Sequence, residues 1–150
     1  WLMRVAIQPV DASLRADRVV SCRGAAGLSI DHPVLARPRS LYDGFEAWWM
    51  KVCTEDRTCF VLEDLKGGIR GIAVIDPRGS GQVKLCTFCL VDGERSTGME
   101  FLQSVCSSLA LSGSTSVYGT VLPEQTAVLA FFERAGFQVT GQYLITKQLA

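Results

Sequence analysis

The sequence predicts an α/β protein of the mixed α+β kind: a mostly antiparallel sheet flanked by helices, with one β-α-β crossover. Three observations predict it. Apolar runs of strand length at 59–65, 69–75 and 83–91 are joined by the turn-forming stretches Lys66-Gly67-Gly68 and Asp76-Pro77-Arg78-Gly79-Ser80-Gly81, the pattern of an antiparallel meander. A helical stripe then follows (Phe101, Leu102, Val105, Cys106, Leu109) before a further strand-like run at 116–121, and a helix between two strands is what a parallel crossover requires. Finally, 150 residues, 48% of them hydrophobic, make one domain spanning 1–150. A domain of that size buries roughly 68–70% of its unfolded surface and needs no metal or disulfide to make a core.

Composition narrows the function classes. Fifteen Lys and Arg balance fifteen Asp and Glu. A neutral chain is a poor electrostatic partner for nucleic acid. No apolar run reaches the roughly 18 residues of a membrane-spanning helix. No apolar segment follows the charge in Trp1-Leu2-Met3-Arg4, so no signal peptide is expected. A first residue of Trp raises the expectation of a processed chain, or of one cut from something longer with a partner domain before it. The six cysteines (Cys22, Cys53, Cys59, Cys86, Cys89, Cys106) lie mostly in apolar runs and read as small buried hydrophobes in a reducing cytoplasm. Cys86-x-x-Cys89 has no second such pair, and the only histidine is His32. Positions three apart on a strand face opposite ways, so neither a zinc site nor a redox dithiol is expected there, and no metal is assigned.

The elements follow in order. Met3-Arg4-Val5-Ala6-Ile7-Gln8-Pro9-Val10 alternates and reads as a first strand. Asp11 is placed to cap a short helix through Leu14, Ala16, Val19 and Val20. Residues 21–40 read as a loop with room for a small turn of helix. A helix is expected over 41–53, with its stripe at Leu41, Phe45, Trp48, Trp49 and Val52 and a capping box from Ser40 with Asp43 or Asp43 with Glu46. The adjacent tryptophans anchor this helix on the sheet or line a groove; anchoring is the simpler reading. After the meander, the second helix and the strand at 116–121, Val128, Leu129, Phe131 and Phe132 form a short helix stopped by Gly136. Phe137-Gln138-Val139 and 143–149 close the chain as strands.

This order, together with Phe132-Glu133-Arg134-Ala135-Gly136-Phe137, resembles the GNAT superfamily of acyl-CoA-dependent N-acetyltransferases. Members commonly carry an aromatic, an acidic and a basic residue followed by x-Gly-Phe at this place. The resemblance covers most of 1–150 and is strongest over 58–145. It implies that acetyl-CoA is the co-substrate, without a metal. Its carbonyl would meet the backbone of the fourth strand at Phe88, Cys89, Leu90 and Val91, and its pyrophosphate the turn into the central helix. That turn departs from the family's Gln/Arg-x-x-Gly-x-Gly/Ala pattern. In Val91-Asp92-Gly93-Glu94-Arg95-Ser96-Thr97-Gly98-Met99-Glu100, either Arg95 opens the motif and Glu100 stands where a small residue is usual, or Gly98 is its last glycine and Arg95 is displaced. Arg95, Ser96, Thr97, Gly98 and Met99 are the candidate phosphate-side residues. Gln125 stands near the family's pantetheine-binding asparagine, and Phe132, or Phe131 next to it, at the position of its thiolate-protonating tyrosine.

The implied chemistry is direct transfer of the acetyl group to a primary amine of a small molecule or of a protein N-terminus or lysine. The chain is expected to act in the cytoplasm as a monomer or homodimer, without membrane or nucleic-acid partner. Glu63 is the candidate base, with Asp64, Glu124 and His32 behind it, and Tyr118 the candidate acid. Each also has a plainer reading as a solvated charge or a strand residue. Phe132 and the altered loop support an alternative, a catalytically weak or inactive GNAT-fold module with a regulatory or protein-interaction role. Arg15, Arg18, Arg23, Arg37 and Arg39 gather in the first third of the chain, but the neutral total argues against an aminoacyl-tRNA substrate.

Overall fold

The computed structural model describes residues 6–7, 18–91, 97–122, 124–140 and 144–149. Its strands are β1 (Ala6–Ile7), β2 (Arg18–Gly24), β3 (Thr58–Asp64), β4 (Ile69–Gly79), β5 (Gln82–Leu90), β6 (Ser116–Thr120), β7 (Gln138–Val139) and β8 (Leu144–Gln148). Its helices are α1 (Ala36–Leu41), preceded by a 3-10 turn at Pro33–Leu35, α2 (Phe45–Thr54), α3 (Gly98–Leu111) and α4 (Thr126–Arg134). The strands form one sheet in the order β1-β2-β3-β4-β5-β6-β8-β7. All described pairings are antiparallel except β5 with β6, the expected crossover through α3.

Strand alternation divides the core into two layers. Phe60, Leu62, Ala73 and Ile75 face the layer built by α3 and α4. Cys59, Val61, Ile72 and Val74 face the layer built by the 3-10 turn and α2, through Leu35, Trp49 and Val52. The meander is thus buried on both sides, which is why its strands read as nearly continuous apolar runs.

Several sequence expectations are corrected here. Val19 and Val20 belong to β2, paired opposite Glu63 and Leu62, and not to a helix. Two β-branched residues fit a pleated, half-buried surface better than a short helix. The proposed helix start at 11–17, and most of the first strand beyond β1, lie outside the described residues. The loop expected at 21–40 contains the end of β2, the 3-10 turn and α1. The helix expected over 41–53 begins only at Phe45, because Gly44 before it adopts φ 76°, and no side-chain cap bond forms there. Ser40 Oγ donates instead to the Arg37 carbonyl at 2.8 Å. β4 runs on to Gly79 through Pro77, with a register shift there, so the connection to β5 is only Ser80-Gly81.

A second register shift makes Cys86 an extra residue in β5, between Leu85 opposite Ile75 and Thr87 opposite Val74. The bulge resets the alternation. Cys86 and Cys89 therefore pack on the same core layer rather than facing opposite ways. All six cysteines are free thiols.

The end of α4 follows the expected pattern in detail. The Phe137 N–H donates to the Phe132 carbonyl and the Gly136 N–H to the Glu133 carbonyl, both at 3.0 Å. Gly136 has φ 92°, and the rings of Phe132 and Phe137 meet edge to face at 5.1 Å. These are the two hydrogen bonds and the apolar contact of a Schellman cap. Lys147 of β8 donates to the Ala135 carbonyl, placing a cation on the negative end of the helix. An added Cβ at Gly136 would meet Lys147 Nζ at 3.3 Å. Gly136→Ala is expected to destabilise the fold by about 1–2 kcal/mol, the cost of left-handed backbone for an L-residue. Urea unfolding would read this as a lower midpoint at unchanged slope.

Candidate active site

β5 and β6 pair only at Gln82–Ser116, Val83–Val117 and Lys84–Tyr118. Beyond Lys84 the two strands part. β5 stays bonded to β4 on its other edge as far as Leu90, opposite Gly71. Gly119 sits at the apex of the split, where a Cβ would meet the Leu85 carbonyl at 3.1 Å. The absence of a side chain lets the two strands close this tightly before they diverge.

The split opens into a cleft of about 510 Å³. One wall is β5, with Leu85, Cys86, Thr87, Phe88 and Cys89; the opposite wall is Gly119, Thr120, Val121 and Leu122. Gln125, Val128 and Phe132 of the α4 segment close one side. The other side comes from α1, α2 and their connector, through Arg37, Leu41, Tyr42, Asp43, Phe45 and Trp48. Tyr42 Oη donates to Gln125 Oε1 at 3.0 Å, joining the two sides across 83 positions of sequence. Phe88 ties the β5 wall to the helices: its ring lies 5.3 Å from Phe101, 5.9 Å from Phe131 and 6.0 Å from Phe132. The tryptophans divide the two roles considered for them. Trp49 is buried and its Nε1 donates to the Leu28 carbonyl at 3.0 Å, anchoring α2, while half-buried Trp48 lines the cleft.

Of the expected cofactor residues, Phe88, Cys89, Gln125 and Phe132 line this cleft. Leu90 and Met99 pack against the α3 layer, and Val91 is buried in the other layer. Thr97 is buried at the start of α3, where its side chain makes no cap bond. Gly98 is the first residue of α3 and would place a Cβ 3.3 Å from Leu90. Arg95 and Ser96 lie outside the described residues.

Neither expected catalytic residue is among the cleft-lining residues. Glu63 is 7% exposed on β3, accepting from Ser21 Oγ at 2.5 Å. β4 stands between it and β5. Tyr118 lies in the paired stretch just before the split, opposite Lys84 on one side and Thr146 on the other. The remaining candidates have local roles. Asp64 accepts from the N–H groups of Gly68 at 2.8 Å and Lys66 at 3.0 Å. The Gly68 N–H foremost holds its carboxyl below the usual range. Its hold on the turn is therefore complete above the ordinary carboxylate pKa and fades as pH falls through the lowered one. His32 Nδ1 accepts from the Val34 N–H at 3.1 Å; burial, then Arg23, lowers its pKa. Glu124 is exposed.

The sequence reading allowed the tryptophans a groove-lining role but did not place the Tyr42–Gly44 connector of that wall or the divergent end of β6. The signal for the first was Asp43-Gly44, a turn dipeptide inside an otherwise helical stripe. Gly119 inside a strand was the signal for the second.

No family model and no curated protein matches the chain. Solved structures do. A GNAT family acetyltransferase from Elizabethkingia anophelis with acetyl-CoA bound superposes with a TM-score of 0.69 at 12% identity, over 89% of this chain and 99% of that one. The IAA acetyltransferase from Bacillus cereus gives 0.65 at 10% identity, over 87% of this chain and 99% of that one. The fold is that of the GNAT acetyltransferases. A GNAT family N-acetyltransferase from Escherichia coli in complex with CoA is similar too, with a TM-score of 0.63 at 16% identity over 95% of this chain and 86% of that one.

The cleft thiols are shielded. Burial pushes Cys89, and Cys59 in the same layer, up to about 12; it raises Cys86 as well. Reaction with an aromatic disulfide reagent at pH 8 is expected to reach half-buried Cys53 and Cys86 first, and to reach Cys59 and Cys89 only on unfolding. Rapid modification of Cys89 in the folded protein, mapped by mass spectrometry, would contradict this packing.

Proposed function

We propose that the protein transfers an acetyl group from acetyl-CoA to a primary amine. The observation that carries this reading is the parting of β5 and β6 in a GNAT fold. It frees one edge of β5 beyond Lys84, so backbone N–H and C=O groups border a cleft rather than a neighbouring strand. An extended arm bearing amides fits such an edge by main-chain hydrogen bonding. The bulge at Cys86 disturbs the ladder where the reacting carbonyl would lie, and a β5 backbone N–H there is suited to polarise it. Gln125, already an acceptor from Tyr42 at the mouth of α4, would meet the arm's amides with its side-chain N–H₂. The start of α3 at Gly98, with the Arg95–Thr97 stretch before it, is the place for the pyrophosphate.

The reaction balances without a cofactor. The ammonium loses one proton, the amine nitrogen attacks the thioester carbonyl carbon, and the new C–N bond replaces the C–S bond as the nitrogen gives up a second proton to water. The thiolate leaves and takes a proton from solvent. Among the described cleft-lining residues, Asp43, exposed at the rim, is the only carboxylate, and none is a histidine. Phe132 offers no proton to the thiolate, so the leaving group relies on water.

Calorimetric titration with acetyl-CoA and with CoA tests the reading. Micromolar affinity is expected; no binding up to millimolar ligand would overturn it. The deprotonated amine does the attacking, so kcat/KM should rise about tenfold per pH unit below the amine pKa, which is near 10 for an alkylamine. A bell-shaped profile centred near neutrality would instead reveal a protein acid–base pair.

A further inference from the structure

We infer that the acceptor is a small primary amine carried on an apolar, ring-bearing body, seated between Trp48 and Tyr42 with its ammonium beside Asp43. This rests on the acetyl-transfer reading and names the substrate class of the same cleft. The wall made by α1, α2 and their connector is aromatic: Tyr42, Phe45 and Trp48 all line it. Phe45 is buried, and it braces Trp48 with ring centroids 5.5 Å apart. Trp48 is also held against Trp49 at 6.2 Å. A ring fixed from behind, with part of its surface in the cleft, is a stacking platform that loses little freedom on binding.

The rim carries exposed apolar side chains beside the charged Arg37 and Asp43. Leu41 is 51% exposed, Tyr42 38% and Leu122 40%, and all three line the cleft. Such exposure in one place marks a binding surface rather than a packing remnant. The volume of about 510 Å³ falls within the roughly 300–1,000 Å³ of small-molecule sites.

Two charged residues line the cleft, Asp43 and Arg37, both exposed. Asp43 belongs to the connector that carries the aromatic wall and gives the ammonium a counter-charge, while the Trp48 ring attracts the same cation through its π face. A polyamine would need several carboxylates along its length; among the described cleft-lining residues Asp43 is the one carboxylate. A hydroxyl-rich amine would gain little from the apolar surfaces of Leu41, Trp48 and Leu122. In the transfer itself the ammonium loses one proton to solvent, the nitrogen takes the acetyl group and gives up a second proton, and the CoA thiolate leaves and is protonated by water.

The test uses the whole chain and four probes: 2-phenylethylamine, tryptamine, ethanolamine and putrescine. With acetyl-CoA, kcat/KM for the two ring-bearing amines is expected to exceed that for ethanolamine and putrescine at least about tenfold. Trp48→Ala and Asp43→Asn should each raise KM for 2-phenylethylamine about five- to tenfold, Trp48→Phe should restore most of the loss, and the calorimetric affinity for acetyl-CoA should stay within about twofold. Circular dichroism checks that the variants fold. Preference for ethanolamine or putrescine, with acetyl-CoA bound normally, would overturn the inference and leave acetyl transfer standing. If acetyl-CoA does not bind at all, the function falls first, and direct titration with 2-phenylethylamine decides the inference. Binding weakened by Asp43→Asn and Trp48→Ala would support it; a Kd weaker than about 10 mM, or one indifferent to both changes, would overturn it.

Discussion

The split between β5 and β6 is the constraint on which the rest of the structure depends. Two parallel strands joined by a helix normally continue side by side, because every unpaired backbone group in a sheet has a cost unless water or a partner meets it. Here pairing ends after Lys84 and Tyr118. The strands are held apart by what lies beyond that point. On the β5 side, Phe88 is gathered into a ring cluster with Phe101 of α3 and Phe131 and Phe132 of α4. On the β6 side, β8 pairs along the whole of Ser116–Thr120 and holds that strand to its own course. The cleft is the space between two well-satisfied halves of one sheet.

The parts that close the cleft come from distant places in the chain. Tyr42 reaches Gln125 across it, so the α1–α2 connector and the first turn of α4 share a hydrogen bond although their sequences are unrelated. The break between α1 and α2 makes this contact geometry available: Tyr42 ends α1 in extended backbone and the left-handed Gly44 starts α2, so Leu41, Tyr42 and Asp43 line the opening rather than a continuous helix. The Schellman cap at Gly136 does the corresponding work behind α4, fixing Phe132 in the core and returning the chain to β7 and β8.

Much of the architecture was legible from local pattern. The meander, the crossover through α3 and the cap of α4 announce themselves in runs, periods and glycine placement, because each is decided by a few neighbouring residues. The errors fell where a longer-range partner overrode the local signal. Val19 and Val20 joined β2 because Glu63 and Leu62 lie opposite them. Cys86 and Cys89 share a layer because β5 carries one residue more than β4 across the bulge. Glu63 looked like a candidate base because it is a carboxylate in an apolar strand, yet its place in the sheet gives it Ser21 as a partner and puts β4 between it and the cleft.

By itself, then, the sequence determined a mixed sheet with helices on its faces, the order of its principal strands and helices from β3 onward, and the resemblance carried by Phe132 to Phe137. These are consequences of side-chain periodicity and backbone propensity, which act over a few residues at a time. Only the tertiary structure decided which side chains meet at the cleft: Trp48 facing it while Trp49 is buried, Tyr42 on Gln125, Asp43 at the rim. Those depend on where two strands stop pairing and on the exit angle of one glycine, and neither quantity is written in any single stretch of the chain.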